Sequence, residues 1–364
     1  MNKIEEKALK ILNILDENNF ESYIVGGYVR DKILHIKSND IDICTSATPK
    51  QIMKLFPNTI SSNYGSVNII YKNTNFDITT FRKEIKYQNN RQPIEVKYIK
   101  NIKQDLQRRD FTINTICIDK EGKIIDYLNN ISDLDNHLIK TVGDPKIRLK
   151  EDSLRILRAI RFATILDFKI EEETKYYLKE YGYLLKRLSY QRKKQELDKI
   201  FTSINKEKGI KTIIELGLDS YLDLPNLKKI TPCSDLIGIW TQLNINDLYP
   251  FNKVEKKQMK KIREMLSLNI HDKYNIYNYG LYISTVVYQI KKENISELNK
   301  IYNSLPIHTK KEIEITGEEI SKLLSKKKDN HINEIIKDIE KQIILGTLKN
   351  KKKNIINYIR KNYE

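Results

Sequence analysis

Hydrophobic positions divide the chain into two regimes. Over the first 120 residues, short apolar runs alternate with helical spacing. Ile4, Ala8, Ile11, Leu12 and Leu15 recur every three or four positions and predict an amphipathic first helix. Residues 23–25 read as a strand that stops at Gly26-Gly27, after which Val29, Ile33 and Leu34 return to helical spacing. Asp40-Ile41-Asp42-Ile43 alternates with period two, so as a strand it turns both carboxylates to one face and anchors the isoleucines on the other. Thr48-Pro49-Lys50-Gln51 predicts a capped helix closing before Pro57, and residues 67–71, 76–81 and 115–119 read as further strands. From about residue 145 the spacing is almost wholly helical, with helix starts at Asp144-Pro145 and at Thr316. The expected class is α+β, a small mixed α/β head followed by helices alone.

One segment breaks the pattern. Residues 82–93 carry charges of both signs, two adjacent asparagines and little hydrophobic periodicity, which predicts a mobile loop. The length of 364 residues suggests two or three domains. An excess of 65 Lys and Arg over 48 Asp and Glu leaves a net charge of +17, which favours a polyanionic partner such as nucleic acid. Coding bias toward Lys, Asn, Ile and Tyr is the blander source of that charge. Cys44, Cys117 and Cys233 are odd in number and far apart, which argues against a disulfide framework or a Cys-x-x-Cys zinc site and for a reducing cytoplasm. No apolar stretch approaches the roughly 20 residues of a membrane span, so no membrane crossing is expected.

The candidate chemistry sits where the strand signals are. A glycine turn opening a helix presents backbone N–H groups to an anion, and Arg30 adds a forked donor beside Gly27. Asp40 and Asp42 on one face can hold two magnesium ions, which lower the pKa of an attacking hydroxyl and steady a leaving pyrophosphate. Asp77 is either a third carboxylate or a surface strand residue. In the helix predicted over 151–162, Glu151, Asp152, Arg155, Arg158 and Arg161 share one half, while Ile156, Leu157, Ile160 and Ala163 occupy the other. The charged half suits base recognition. Cytosine and adenine both offer an exocyclic amine beside a bare ring nitrogen. A carboxylate at Asp152 and a guanidinium at Arg155 would accept C and A and leave buried mismatches against U and G. Arg109 is a candidate neighbour to sugar or phosphate, while Asp110 and Asn114 are expected to brace the fold and the ribose.

Taken together, Gly26-Gly27-x-Val29-Arg30-Asp31, Asp40-x-Asp42, Arg108-Arg109-Asp110-Phe111-Thr112-x-Asn114, Gly143-Asp144-Pro145 and Glu151-Asp152-x-x-Arg155 resemble the bacterial class II tRNA nucleotidyltransferases, the CCA-adding enzymes of the polymerase beta superfamily. The resemblance covers essentially the whole length. It implies Gly27 and Arg30 at the triphosphate, Asp40 and Asp42 on Mg2+, and Arg109, Asp152, Arg155, Arg158 and Arg161 around the incoming CTP or ATP. It also implies a nucleotidyltransferase head over 1–138, a neck over 139–204, a body over 205–270 and a tail over 271–364, the helical parts gripping the acceptor arm of tRNA so that its 3′ end receives C, C and A. Residues 82–93 match the charged loop that helps switch from C to A. The neck departs from the family's Glu-Arg-x-x-x-Glu, since Gln191 stands where the first carboxylate belongs and Glu196 where the second does. An A-adding half-enzyme and a poly(A) polymerase remain alternatives, and a non-catalytic RNA-binding protein a remote one.

Overall fold

The structure is a computed structural model and describes residues 3–57, 59–61, 65–88, 92–245, 247–324 and 330–364. The chain divides into two compact units, Met1–Leu227 and Lys228–Glu364. The expected boundaries after residues 138 and 204 fall inside the first unit, and the one after 270 falls inside the second.

In the first unit, helix α1 (Lys3–Glu17) buries the predicted Ala8, Ile11, Leu12 and Leu15. It is followed by β1 (Ser22–Val25), α2 (Gly27–Ile33), β2 (Asp42–Thr45), α3 (Pro49–Leu55), β3 (Ile60–Ser61), β4 (Ser66–Tyr71) and β5 (Thr74–Thr80). Next come β6 (Arg82–Gln88), β7 (Gln92–Tyr98), α4 (Ile102–Gln107), β8 (Cys117–Ile118) and β9 (Ile124–Ile125). Seven strands form one sheet in the order β3-β4-β5-β2-β1-β8-β9. β1 lies near its middle and is buried along its whole length. Its antiparallel register sets Val25 against Asp42, while the parallel pairing of β2 with β5 sets Asp42 against Asp77. The end of β1, the glycine turn and the start of β2 thus meet at one sheet end. Tyr23, Val25, Cys44, Phe81, Ile102, Leu106 and Cys117 pack together beneath it.

Two local expectations are corrected. β2 begins at Asp42, so Asp40 lies in the preceding connection and not on a shared strand face. Residues 82–88 and 92–93 are strands and not a loop: β6 and β7 pair antiparallel as a separate two-stranded ribbon, with Arg82 opposite Tyr98 and an irregular register near Lys86. The alternation of Ile85 and Tyr87, and of Ile94, Val96 and Tyr98, is the period-two signal that the dense charge obscured. Residues 89–91, including the paired asparagines, lie outside the described residues.

The rest of the first unit is mainly helical, with α5 (Ile131–Asp135), β10 (Leu138–Ile139), α6 (Pro145–Glu151), α7 (Leu154–Ile165), β11 (Lys169–Ile170), α8 (Glu172–Glu180), α9 (Tyr190–Phe201) and α10 (Lys206–Glu215). The Oδ1 of Asp144 caps α6 by accepting from Lys146 N at 2.8 Å, as the Asp-Pro start predicts. Helix α7 packs on α6, α9 and α10. It buries Ile156, Leu157, Ile160 and Ala163 as expected, but Arg155, Arg161 and Phe162 are buried too and Arg158 is half-buried, while Glu151 belongs to α6 and Asp152 to the break between the two helices. The second unit contains α11 (Leu236–Leu243), α12 (Lys253–Leu266), α13 (Lys273–Lys291), α14 (Ile295–Asn303), α15 (Gly317–Leu323), α16 (Asn330–Ile344) and α17 (Lys352–Tyr363). Thr316 and Glu319 form the predicted capping box on α15. Among the described residues no helix is long and apolar enough to cross a membrane.

The junction of α7, α9 and α10 depends on a close approach at Gly209. A Cβ there would stand 2.5 Å from Thr164 Oγ1 and 2.6 Å from Ile200 Cγ2. Thr164 cannot easily yield, because its hydroxyl donates to Ile160 O at 2.7 Å. Alanine is favoured over glycine within a helix by about 1 kcal/mol, whereas overpacking a tight site costs about 1–3 kcal/mol. Gly209→Ala is therefore expected to lower the thermal midpoint despite its better helix propensity. A midpoint equal to or above the parent's in a calorimetric scan would refute the close-packing argument.

Candidate active site

The glycine turn and the carboxylates meet because of the β1–β2 register. Gly26 has φ +84°, a left-handed conformation that favours glycine, and a Cβ there would sit 3.5 Å from Asp42 Oδ2 and 3.8 Å from Arg109 Nη1. The turn thus lies against both a carboxylate and a guanidinium. Gly26, Gly27, Arg30, Asp40, Asp42, Arg109, Asp110, Asn114, Arg158, Arg161 and Phe162 line one cleft of about 290 Å³, together with Tyr28, Asp31 and Ser38. A second cleft of about 370 Å³ shares Asp42 and Arg109 and adds Ser66, Thr79, Arg82 and Arg108. Asp42 therefore stands at the border of two openings.

Each cleft arginine is held by an acid. Arg30 donates through Nη2 to Asp31 at 2.6 Å and through Nη1 to Asn114 Oδ1 at 2.9 Å. Arg109 Nη2 reaches Asp105 Oδ2 at 3.3 Å, and Asp105, fully buried, also holds Arg108 at 2.8 Å and accepts from Arg82 N at 3.1 Å. Burial alone would raise the Asp105 carboxyl, but the neighbouring Arg108 and Arg109 prevail and hold it below the usual range. Arg158 forks onto Asp110 Oδ2 at 2.8 and 2.5 Å, while the Asp110 Oδ1 accepts from Asn114 and from Phe111 N. Here too burial is overcome, by Arg158 and Asn114, and Asp110 lies far below an ordinary carboxylate. Arg161 Nε stands 2.6 Å from Glu196 Oε2 in charge contact, without the alignment of a hydrogen bond. The neck's second carboxylate thus braces the cleft, whereas Gln191, in place of the first, is exposed in the opening turn of α9.

Asp42 behaves differently. Asp42 is raised to about 6, first by the surrounding protein's exclusion of water and then by the charges of Asp40 and Asp77, with Arg109 opposing. Two neighbouring carboxylates could hold a divalent cation, whose charge would reverse that shift. Among the described residues no three ligating side chains converge on one point. An oxygen-only pair nevertheless fits a small hard ion that keeps waters and takes further oxygens from a bound phosphate. Asp77 is the β5 neighbour of Asp42, and its Oδ1 accepts from Asn68 Nδ2 at 3.0 Å.

Asp152 and Arg155 are not among the residues lining the cleft. Asp152 ends α6 and its Oδ1 accepts from Leu154 N at 3.0 Å. Arg155 donates to the carbonyls of Arg148 and Arg108, both at 2.9 Å, and pairs with Glu151 at 3.2 Å. Arg148 Nη2 in turn donates to Gln107 O at 2.6 Å and Arg109 O at 3.3 Å. Sequence reasoning assigned no role to Asp31, Asp105 or Phe162. The i,i+3 and i,i+4 spacing of Asp105 to Arg108 and Arg109 was a signal for the second of these.

Residues 22–140 match the poly A polymerase head domain family, residues 167–230 the family described as a probable RNA and SrmB-binding site of polymerase A, and residues 249–359 the putative tRNA nucleotidyltransferase domain 2. The Bacillus stearothermophilus CCA-adding enzyme, solved in complex with CTP, superposes with a TM-score of 0.86 at 24% identity, covering 99% of this chain and 98% of that one. The Thermotoga maritima CCA-adding enzyme, complexed with tRNA, gives 0.73 at 22% identity over 100% and 97%. In sequence, the CCA-adding enzyme of Geobacillus sp. (strain WCH70) is 34% identical over 96% of this chain and 95% of its own length. That of Staphylococcus haemolyticus is 34% identical over 98% of both. With a third of its positions shared along almost its whole length, this chain belongs to the CCA-adding enzymes.

Proposed function

We propose that this chain adds C, C and A in turn to the 3′ end of tRNA, taking nucleotides from CTP and ATP and releasing pyrophosphate. The reading rests above all on the cleft that joins Asp40 and Asp42 to four braced arginines, because a nucleoside triphosphate needs a hard cation and several fixed positive charges at once. Its relatives carry the same activity in their names, and two structural neighbours hold CTP and tRNA.

Asp40 and Asp42 would hold Mg2+, which when bound stabilises charge on the triphosphate and lowers the pKa of the attacking 3′-hydroxyl. Arg30, Arg109, Arg158 and Arg161 bind and orient the triphosphate, since donors held by carboxylates need little reorganisation when the anion arrives. Gly26 and Gly27 let the anion approach the backbone without a Cβ in the way. The tRNA's 3′ end must reach Asp42, and the helical parts over 139–364 supply the grip on the acceptor arm.

In this reading Asp152 accepts from the exocyclic amine shared by C and A. For Arg155 a second role is favoured by its bonds to the carbonyls of Arg108 and Arg148: it braces the turn that carries Arg109. As base reader it would have to exchange those carbonyls for the ring nitrogen. The two roles differ in outcome, because loss of a reader relaxes selection, whereas loss of a brace weakens CTP and ATP use equally and leaves U and G excluded.

Extension of tRNA ending at the discriminator base, at C or at CC, with labelled CTP and ATP singly and together, separates full CCA addition from A-only addition and from poly(A) synthesis. Extension only of the CC-ended substrate would replace the proposal with an A-adding enzyme. Asp40→Ala and Asp42→Ala are each expected to abolish transfer while filter binding of tRNA changes less than threefold; substantial residual transfer in either variant would remove the metal assignment. Asp152→Ala should admit UTP and GTP, narrowing discrimination by about 1–3 kcal/mol. Parent-like nucleotide ratios in that variant would place base selection elsewhere.

A further inference from the structure

Phe162 sits among the cleft's cations. The guanidinium carbons of Arg30, Arg158 and Arg161 lie 5.1, 5.3 and 4.1 Å from its ring centroid. All three distances are within the range of cation–π attraction, in which the negative face of the ring draws in a cation. Arg158 and Arg161 precede Phe162 on α7 by four positions and one, whereas Arg30 comes from α2, so the ring meets arginines of both helices. The ring itself is fixed. It is only 7% exposed and packs edge to face on Phe111, at 5.7 Å and 78°, and Phe111 is fully buried and bridged through its backbone to Thr141.

We infer that Phe162 is a positioning residue for the nucleoside triphosphate, its ring setting the spacing of three guanidinium groups before the phosphates arrive. This deepens the proposed function and rests on it. Three like charges gathered in one cleft repel one another. Asp31, Asp110 and Glu196 each hold one of them, at 2.6, 2.5 and 2.6 Å, and Asn114 holds Arg30 at a second edge, at 2.9 Å. Arg158 and Arg161, fixed at one edge, can still swing about that contact, and a ring face beside them removes the swing. An aliphatic side chain of similar volume would fill the space without attracting the cations, so the arginines would spread until the phosphates drew them back. The nucleotide would then supply that reorganisation, and the loss would fall on its binding more than on turnover.

The test uses the full chain, with ATP varied on tRNA ending in CC and CTP varied on tRNA ending in C. Phe162→Leu is expected to raise KM for both nucleotides about tenfold, equivalent to about 1.4 kcal/mol, with a smaller change in kcat. Phe162→Tyr and Phe162→Trp, which keep a π face, should recover most of the affinity. Difluoro- and trifluorophenylalanine placed at position 162 preserve shape while draining the ring face, so KM should rise with each step of fluorination even if the leucine variant folds poorly. A KM that stays flat across the fluorinated series, or a leucine variant that loses kcat with KM unchanged, would overturn the role of Phe162. Failure of the unaltered chain to transfer any nucleotide would instead overturn the functional reading beneath it.

Discussion

Clustered guanidinium groups repel, and much of the first unit can be understood as the means of holding four of them in one cleft. Arg30, Arg109, Arg158 and Arg161 are answered by Asp31, Asp105, Asp110 and Glu196, which come from α2, α4, the turn after α4, and α9. A buried charge left without its partner costs about 3–5 kcal/mol, so these pairs constrain where α7 and α9 can sit relative to the sheet. Asp105 and Asp110 have folded-state pKa values below those of the unfolded chain despite their burial. Their contribution to stability is therefore full above the ordinary carboxylate range and is lost as pH falls through the depressed values. Asp42 is displaced the other way, to about 6. The sign of the shift thus sets Asp105 and Asp110, each paired with arginines, apart from Asp42, whose nearest acids are Asp40 and Asp77.

The parts of this arrangement that are local in sequence were legible in it. Gly26-Gly27, Asp40-x-Asp42 and Arg108-Arg109-Asp110 each announce a turn or a charge cluster within a few residues, and the sheet's antiparallel pairing of β1 with β2 brings the first two together. The capping boxes at Thr48 and Thr316 were readable for the same reason, since cap and N3 residue stand three apart. Strands β6 and β7 are hard to read within 82–93 because dense charge normally marks solvated loops, although paired antiparallel strands tolerate charge when they pair chiefly through backbone.

What could not be read was long-range and made by backbone. A helical wheel puts Arg155, Arg158 and Arg161 on one charged half of α7 but says nothing of what each meets. Arg158 meets Asp110, 48 residues away, and Arg161 meets Glu196 on α9. Arg155 meets carbonyl oxygens, which every residue carries and no residue code distinguishes. Phe162 carries no signal that sets it apart from a core phenylalanine, and its contact with Arg30 is visible only once α2 is placed beside α7.

The carbonyl contacts link the neck to the chemistry in a specific way. Gln107, Arg108 and Arg109 are consecutive, and their three carbonyls accept from Arg148 and Arg155 on α6 and α7. A carbonyl fixed at three successive positions fixes the peptide planes between them, and with them the direction in which the Arg109 side chain leaves the backbone. The same turn leads into Asp110, the partner of Arg158. The Glu151-Asp152-x-x-Arg155 segment is therefore coupled to Arg109 in the cleft through backbone. In the proposed function a substitution there would act on both ends of one nucleotide, which is why separating selection from affinity requires all four nucleotides to be measured on each variant.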